Sequence, residues 1–365
     1  MNFLFKLRGP LTTTQEWILG ISGVVLLLLF WTVLANVKSK QKPVYDTVMP
    51  TSVVGMSKTT IDSLERIDDA LRENATEFET IYPILPPPNK VLTAFGGLFQ
   101  NDDIGFHTKR SVWLNLQGYF WAILVAIPIG LIIGLFPLFR GLFSKQVDAT
   151  RFLPLTALTG LFITWYGTGD SMKVAFLAVG IIVYLLPVVV QRVDEVADIH
   201  LKMAFTLGAN TWQTIRTVYL PSIFSKITDD IRVLTAISWT YIIIAELLNQ
   251  KGGLGALIYL KARQGYLDKV FAILIIIILI GILQDRVFLY LDKMISPHKY
   301  FKVKSGAVKR GVETMRYGAL AFVIGLVLFL GEFIDPVIGV GLLAIGIGFI
   351  VYGEIIVDKK VKEEA

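Results

Sequence analysis

The chain has 365 residues, of which 54% are hydrophobic and 18% charged, and its mean hydropathy is +0.63. This composition excludes a small soluble domain and is typical of a polytopic, all-α membrane protein. The chain has no cysteine and three widely separated histidines, so we expect no disulfide, no cysteine ligand and no local metal site. The formal charge of +6 is expected in loops between spans, because no basic patch is interleaved with aromatic residues as in a nucleic-acid-binding protein.

The N-terminal part predicts one membrane span and a polar extracytoplasmic segment. In residues 1–37, Lys6 and Arg8 precede an apolar run from Trp17 to about Asn36, which indicates a cytoplasmic N-terminus and a first span rather than a cleaved signal peptide. Acids and bases nearly balance in residues 38–110, as expected on the translocated side. There an apolar stripe predicts an amphipathic helix from about Thr59 to Tyr82, which packs on its own segment or contacts a binding protein. Its members are Ile61, Leu64, Leu71, Ala75 and Phe78.

Residues 111–293 predict the membrane core, with five further spans. The apolar runs are 111–136, 152–166, 172–190, 231–248 and about 270–283. The run at 152–166 is short and interrupted by Pro154, and Gly167-Thr168-Gly169-Asp170 joins it to the next run. Glu246 lies near the outer end of a span, and Gly252-Gly253-Leu254-Gly255 opens the loop that follows.

A polar segment at about residues 192–226 separates two of these spans and is too polar for a bilayer interior. Helical periodicity on both sides of Gly208 predicts two short helices that meet there, and Pro221 is expected to end the second or to redirect the chain. We call this segment the elbow. Held between two spans, it can transmit force from a partner that binds it. An amphipathic interfacial linker with an ordinary glycine hinge is the alternative.

The C-terminal part adds a basic linker and a membrane hairpin. Residues 294–316 are strongly basic and are therefore assigned to the cytoplasm, and residues 317–357 predict two apolar arms around a polar break at Glu332 and Asp335. Residues 358–365 return to the cytoplasm. Both arms are rich in glycine, which suits close helix packing, at Gly325, Gly331, Gly339, Gly341, Gly346 and Gly348.

The elbow resembles the EAA loop of the permease subunits of ABC importers, which has a Glu-Ala-Ala triplet, a Gly and a later Ile-x-Leu-Pro. Lys202-Met203-Ala204 stands at the triplet and keeps only its last alanine. In that family the loop is a cytoplasmic coupling helix that docks on a separate ATPase subunit. The resemblance implies that the coupling residues are Ala204, Leu207, Gly208, Ala209, Trp212, Val218, Leu220 and Pro221.

Other segments between about residues 85 and 293 resemble the nitrate, sulfonate, taurine and bicarbonate-type permeases. They are 85–91, 111–118, 165–173, 238–246 and 252–255. The resemblance implies a type I ABC importer permease with a six-span core plus the extra hairpin, in a bacterial inner membrane and in contact with lipid. It also implies a homodimer, two ABC ATPase subunits and an extracytoplasmic solute-binding protein as partners.

The sequence contains no phosphate-binding loop and no hydrolase motif, so the chain is not expected to be an enzyme or to need a cofactor, and ATP hydrolysis is assigned to another subunit. We expect a path for a small anionic solute, with Trp165, Gly167, Gly169, Glu246, Gly253 and Gly255 as candidate path residues.

Each of these candidates has a structural alternative. Glu246 could cap or snorkel at a span end, Trp165 could be a belt aromatic, and the glycines could form tight turns. Lys173 and Lys251 could attract an anion or anchor the interface. For the whole chain, the alternative is a membrane scaffold or sensor that binds a cytoplasmic partner through the elbow without transporting a solute.

Overall fold

The computed structural model describes residues 12–44, 63–64, 66–67, 69–71, 77–248, 252–296, 299 and 306–364. Within these residues, 7 helices are long and apolar enough to cross a membrane, which confirms the predicted polytopic all-α fold. The chain divides into two compact units, residues 1–102 with 261–272 and residues 103–260 with 273–365.

The first unit contains the N-terminal span and a small sheet. Helix α1 (Thr13–Val37) begins with a capping box between Thr12 and Gln15. Strand β1 (Lys40–Val44) pairs antiparallel with β2 (Glu77–Ile81), and helix α2 (Pro88–Asn101) follows. Pro88 takes the first helical position of α2, where its missing N–H costs no hydrogen bond.

The predicted amphipathic helix is wrong at its C-terminal end. Phe78 lies in β2, because the backbone of residues 77–81 pairs with that of residues 40–44. Helix is found at 63–64, 66–67 and 69–71, whereas Ile61 and Ala75 lie outside the described residues.

A buried charged cluster closes the first unit. Asp102 forms ion pairs with Lys261 and Lys269, both at 2.5 Å. Burial raises the pKa of Asp102, but the hydrogen bonds and charges of the two lysines outweigh it and hold that pKa below its ordinary value.

The second unit contains the membrane core and the hairpin. Its helices are α3 (Ile104–Leu135), α4 (Pro137–Thr150), a 3-10 turn (Leu155–Leu158), α5 (Thr159–Tyr166), α6 (Asp170–Asp194), α7 (Asp198–Thr206), α8 (Thr211–Thr214), a π turn (Ile215–Tyr219), α9 (Leu220–Leu248), α10 (Leu254–Arg263), α11 (Leu267–Ile295), α12 (Gly306–Leu330) and α13 (Pro336–Glu364). Helices α10 and α11 also contribute residues 261–272 to the first unit.

Two sequence expectations fail here. The apolar run at 152–166 is helical only from Leu155 to Tyr166, and twelve residues rise about 18 Å, short of the roughly 30 Å hydrocarbon core. Pro221 does not end a helix, because helical structure continues from Thr211 to Leu248. Just before Pro221, a π turn replaces the i→i−4 backbone hydrogen bonds with i→i−5 bonds. The helix thereby accommodates a proline, which has no N–H to donate.

Helices α3 and α6 pack closely because α3 presents glycine to its neighbour. A Cβ added at Gly118, Gly130 or Gly134 would lie within 3 Å of side-chain atoms of α6, including 2.6 Å from Val189 Cβ for Gly130. The shared core of α3, α6 and α9 positions both ends of the second unit.

The hairpin packs through two facing glycine series, each with a spacing of seven residues. On α12 the series is Gly311, Gly318 and Gly325, and on α13 it is Gly339, Gly346 and Gly353. A Cβ added at Gly318 would lie 2.8 Å from the Gly346 carbonyl oxygen, whereas Gly325 lies against Leu342. The predicted close packing is confirmed at Gly325, Gly339 and Gly346, whereas Gly341 and Gly348 face open space. At the hairpin tip, Glu332 adopts φ +59° and pairs with Lys109 of α3 at 2.8 Å.

Candidate functional site

The elbow is a helix–turn–helix, and its first helix, α7, ends in a Schellman motif. At the end of α7, the Gly208 N–H donates to the Phe205 carbonyl and the Ala209 N–H donates to the Ala204 carbonyl, both at 3.0 Å. This motif requires the left-handed conformation that Gly208 adopts at φ +76°. Asn210 then caps α8 by accepting from the Gln213 N–H at 2.8 Å, so the turn is fully specified by local sequence.

The elbow exposes apolar side chains that a solvated linker would not carry. Leu207 is 83% exposed and Trp212 is 67% exposed. Beside them lies a groove of about 380 Å³, lined by His200, Met203, Ala204, Leu207, Ala209, Thr217, Val218 and Ser222. The groove therefore brings together four of the predicted coupling residues. The other four do not line it: Gly208, Trp212, Leu220 and Pro221.

Ion pairs join the base of the elbow to the core. Arg192, at the end of α6, pairs with Asp230 of α9 through two hydrogen bonds of 2.8 and 2.7 Å. Glu195 accepts from Arg192 at 2.6 Å and from Lys226 at 2.9 Å. The hydrogen bonds from Lys226 and Arg192 lower the pKa of Glu195. Ion pairs thus connect α6, which enters the elbow, to α9, which leaves it.

At the opposite end of the second unit, Glu246 is fully buried. Its carboxylate accepts from the Ser111 hydroxyl at 2.7 Å and from the Gly255 N–H at 2.8 Å. Gly255 lies in the first turn of α10, so the carboxylate caps a helix N-terminus, where negative charge is stabilised. Gly253 adopts φ +109°, and a Cβ at this residue would overlap the Glu246 carboxyl group.

Further polar residues surround this carboxylate. The Gly253 N–H donates to His107 Nδ1 at 3.0 Å, and Arg110 donates to both oxygens of Asp170 at 2.8 and 2.9 Å. Lys173 is fully buried and its ammonium lies 3.8 Å from Asp170 and 3.4 Å from the Gly252 carbonyl oxygen. We call His107, Arg110, Ser111, Asp170, Lys173, Glu246 and residues 252–255 the polar cluster; it joins α3, α6, α9 and α10.

The polar cluster contains several of the residues singled out in the sequence. Lys173 is neither an exposed anion-attracting group nor an interfacial anchor, because its side chain is buried in the cluster. Glu246, Gly253 and Gly255 do come together, but in a packed cap rather than along an open cavity. Lys251 lies outside the described residues.

An open groove of about 500 Å³ runs between α3 and α6 beside the polar cluster. Its wall includes Gln117, Trp121, Tyr166, Asp170 and Ser171. Among the described residues that line it, Asp170 alone is charged, and it also belongs to the polar cluster. Trp165 is 65% exposed outside the lining, and Gly167 and Gly169 lie in the turn between Tyr166 and Asp170.

Sequence reasoning did not single out His107, Arg110 or Asp170. Their partners are 60 to 146 residues away in the chain, so no local pattern joins them. The available signal was that these charged and polar residues lie near the beginnings of α3 and α6, because charged residues at span ends commonly pair across helices. Asn115 and Ser238, within two segments noted for their resemblance, form a hydrogen bond of 3.1 Å between α3 and α9.

Comparison with known proteins places these features in one family. Residues 126–297, which include the elbow, Asp170 and Glu246, match the family described as "Binding-protein-dependent transport system inner membrane component". The taurine transport system permease protein TauC of Escherichia coli K12 is 27% identical over 218 residues, which cover 58% of this chain and 79% of TauC.

Two other transport permeases are also similar to part of this chain. The putative aliphatic sulfonates transport permease protein SsuC of Bacillus subtilis 168 is 27% identical over 206 residues, 55% of this chain and 73% of SsuC. The riboflavin transport system permease protein RibX of Chloroflexus aurantiacus is 30% identical over 118 residues, 32% of this chain and 43% of RibX. Residues 126–297 of this chain therefore belong with the binding-protein-dependent inner-membrane components, and this match together with TauC and SsuC supports a permease of the type I ABC importers.

Proposed function

We propose that the chain forms the path for a small solute and that a separate ABC ATPase drives it through the elbow. The observation that carries the proposal is the exposed apolar elbow, whose helices are fastened to the core by the Arg192–Asp230 ion pair. A short helix that exposes apolar anchors is a common way to dock into a groove of a partner.

The ATPase would act by preferring one state of the permease. A partner shifts a two-state equilibrium only through differential contacts with the two states. To move it from mostly one state to mostly the other takes about 5.5 kcal/mol. Because ion pairs fasten the elbow to α6 and α9, movement of the elbow is passed to the spans rather than lost in a flexible hinge.

The solute path is assigned to the groove between α3 and α6. The names of TauC and SsuC refer to taurine and aliphatic sulfonates, and we propose a small anionic solute of this kind. The lining supplies aromatic and hydrogen-bonding groups but no cation of its own. The counter-charge is assigned to Arg110, which is bound to Asp170 at the edge of the groove and would exchange that carboxylate for a solute anion.

The partners follow from this mechanism. We propose a homodimer in which a second copy faces the groove, two ATPase subunits on the cytoplasmic side and a solute-binding protein on the other side. The elbow and both termini are placed in the cytoplasm, in agreement with the basic linker at residues 294–316. The chain itself supplies no ATPase activity.

Reconstitution tests this proposal against the scaffold alternative. The complex is purified with its ATPase and placed in proteoliposomes with the binding protein, and both ATP hydrolysis and uptake of taurine or an alkanesulfonate are measured. We expect the binding protein to stimulate hydrolysis and uptake to require ATP. A complex that shows neither stimulation nor uptake of any solute carried by its binding protein would favour the scaffold.

A further inference from the structure

An apolar crevice lies between α11 and the hairpin, and its hairpin wall is outside the residues matched by the family. It has a volume of about 300 Å³ and is lined by residues that include Leu283, Val287, Leu291, Met294, Ala319 and Ile347. Leu283 is 65% exposed and Ile347 is 51% exposed, so the crevice opens on the surface that faces the membrane. A molecule that occupies the crevice must therefore be apolar there, as lipid hydrocarbon chains are.

The volume limits what can enter. One turn of a helix about 10 Å wide displaces on the order of 400 Å³, so the crevice is too small for a helix of a second protein. A narrow apolar cleft between membrane helices instead fits a single hydrocarbon chain.

One charged side chain stands at the rim. Arg286 lines the crevice, is exposed, and has no hydrogen-bond or ion-pair partner among the residues that the structure describes. The neighbouring cations are engaged: Lys293 pairs with Glu354 at 3.1 Å and Arg316 donates to the Met294 carbonyl at 3.0 Å. Arg286 is therefore the group available to an incoming anion.

The surrounding sequence adds positive charge. Residues 286–316 contain eight basic and two acidic residues. Adjacent to Arg286, Asp285 pairs with Arg232 at 2.8 Å, which places this rim toward the elbow end of α9. Basic pockets between membrane helices on the cytoplasmic side attract anionic lipid head groups.

We propose that the crevice binds one anionic phospholipid, with an acyl chain between α11 and the hairpin and the phosphate paired with Arg286. The assignment to the cytoplasmic leaflet rests on the proposed function, because it follows from the orientation of the elbow. The crevice, its apolar wall and its arginine do not depend on transport.

Native mass spectrometry of the full chain tests the proposal. The protein is delipidated and offered phosphatidylglycerol or phosphatidylcholine of the same acyl composition. We expect one tightly retained phosphatidylglycerol per chain and about fivefold weaker retention by Arg286→Gln, since one basic group near a membrane surface contributes about 1 kcal/mol. Lys145→Gln, which removes an exposed cation elsewhere, should bind as the wild type does.

A second pair of variants tests the crevice itself. Ile347→Trp fills the rim and should abolish retention of the lipid, whereas Ile345→Trp, also on the surface of α13 and 53% exposed, should not. Equal retention of both lipids by the wild type, or equal retention by Ile347→Trp and Ile345→Trp, would overturn the proposal. A dimer that Ile347→Trp disrupts without any lipid bound would assign the crevice to a second copy. Lipid binding by a chain that transports nothing would leave this proposal standing and remove only the leaflet assignment.

Discussion

Gly208 determines the shape of the elbow, and substitutions at this residue can distinguish an effect on folding from an effect on coupling to the ATPase. Space around it is open, and aspartate and asparagine both tolerate its left-handed conformation better than most residues. We expect Gly208→Asp to reach the membrane normally but to lose at least tenfold in ATP-driven uptake, because it puts a charge in the middle of an apolar docking surface. Gly208→Asn, which has the same shape without the charge, should retain more uptake. Normal uptake by Gly208→Asp would contradict the docking role.

Glu246 is expected to stabilise the fold, so its substitution should lower the unfolding free energy as well as any transport activity. Glu246→Ala would leave the buried Ser111 hydroxyl and the Gly255 N–H without their acceptor, and we expect a loss of about 3 kcal/mol in unfolding free energy. Thermal unfolding in detergent measures this loss, with Glu313→Ala, which removes an exposed carboxylate on α12, as the control. A stable Glu246→Ala protein that fails only in transport would instead place the carboxylate on the solute path.

Asp102 predicts a pH dependence of the first unit. Its pKa is depressed in the folded state by Lys261 and Lys269, so its stabilisation is complete above the ordinary carboxyl pKa and is lost as the pH falls below it. Asp102→Asn leaves two largely buried lysines unpaired and should cost on the order of 3 kcal/mol at neutral pH. The difference between variant and wild type in thermal unfolding should shrink as the pH falls below that ordinary value. A difference that stays constant from pH 7 to pH 3 would show that the ion pairs do not stabilise the fold.

Among the helices, the hairpin shows most directly how spacing in the sequence determines packing. Gly346 lies against the backbone of α12, where an added Cβ would be 2.7 Å from the Phe322 nitrogen, whereas Gly341 faces open space. Gly346→Val should therefore separate the two arms, and Gly341→Val should not. A disulfide between cysteines placed on facing turns of the two arms measures their approach. Equal cross-linking in both variants would contradict the packing.

The helices were predictable where a single local rule decides the structure. Hydrophobic length identified the spans, and the glycine after α7 identified the turn of the elbow. Strand β2 was missed because its pairing with β1 is not local, and Pro221 was misjudged because a π turn accommodates it. The run before Tyr166 is apolar enough for a span but is too short as a helix.

In the second unit, the two ends of the membrane core differ in how far sequence could anticipate them. The elbow is a continuous segment, so its residues could be named together from the sequence. The polar cluster assembles residues from four helices, and only the fold shows that Arg110 meets Asp170 and that Glu246 caps α10. The hairpin lies beyond the residues that match the family, yet it contacts the core through the Lys109–Glu332 and Lys293–Glu354 pairs.

We propose that the elbow lies in the cytoplasm and is covered by an ATPase, and labelling of the elbow tests this most directly. Because the natural chain has no cysteine, Leu207→Cys introduces a single, highly exposed thiol at the elbow. A membrane-impermeant maleimide should label it only in inside-out vesicles, and the bound ATPase should protect it. Labelling of Leu207→Cys from the outside of intact cells would contradict the account.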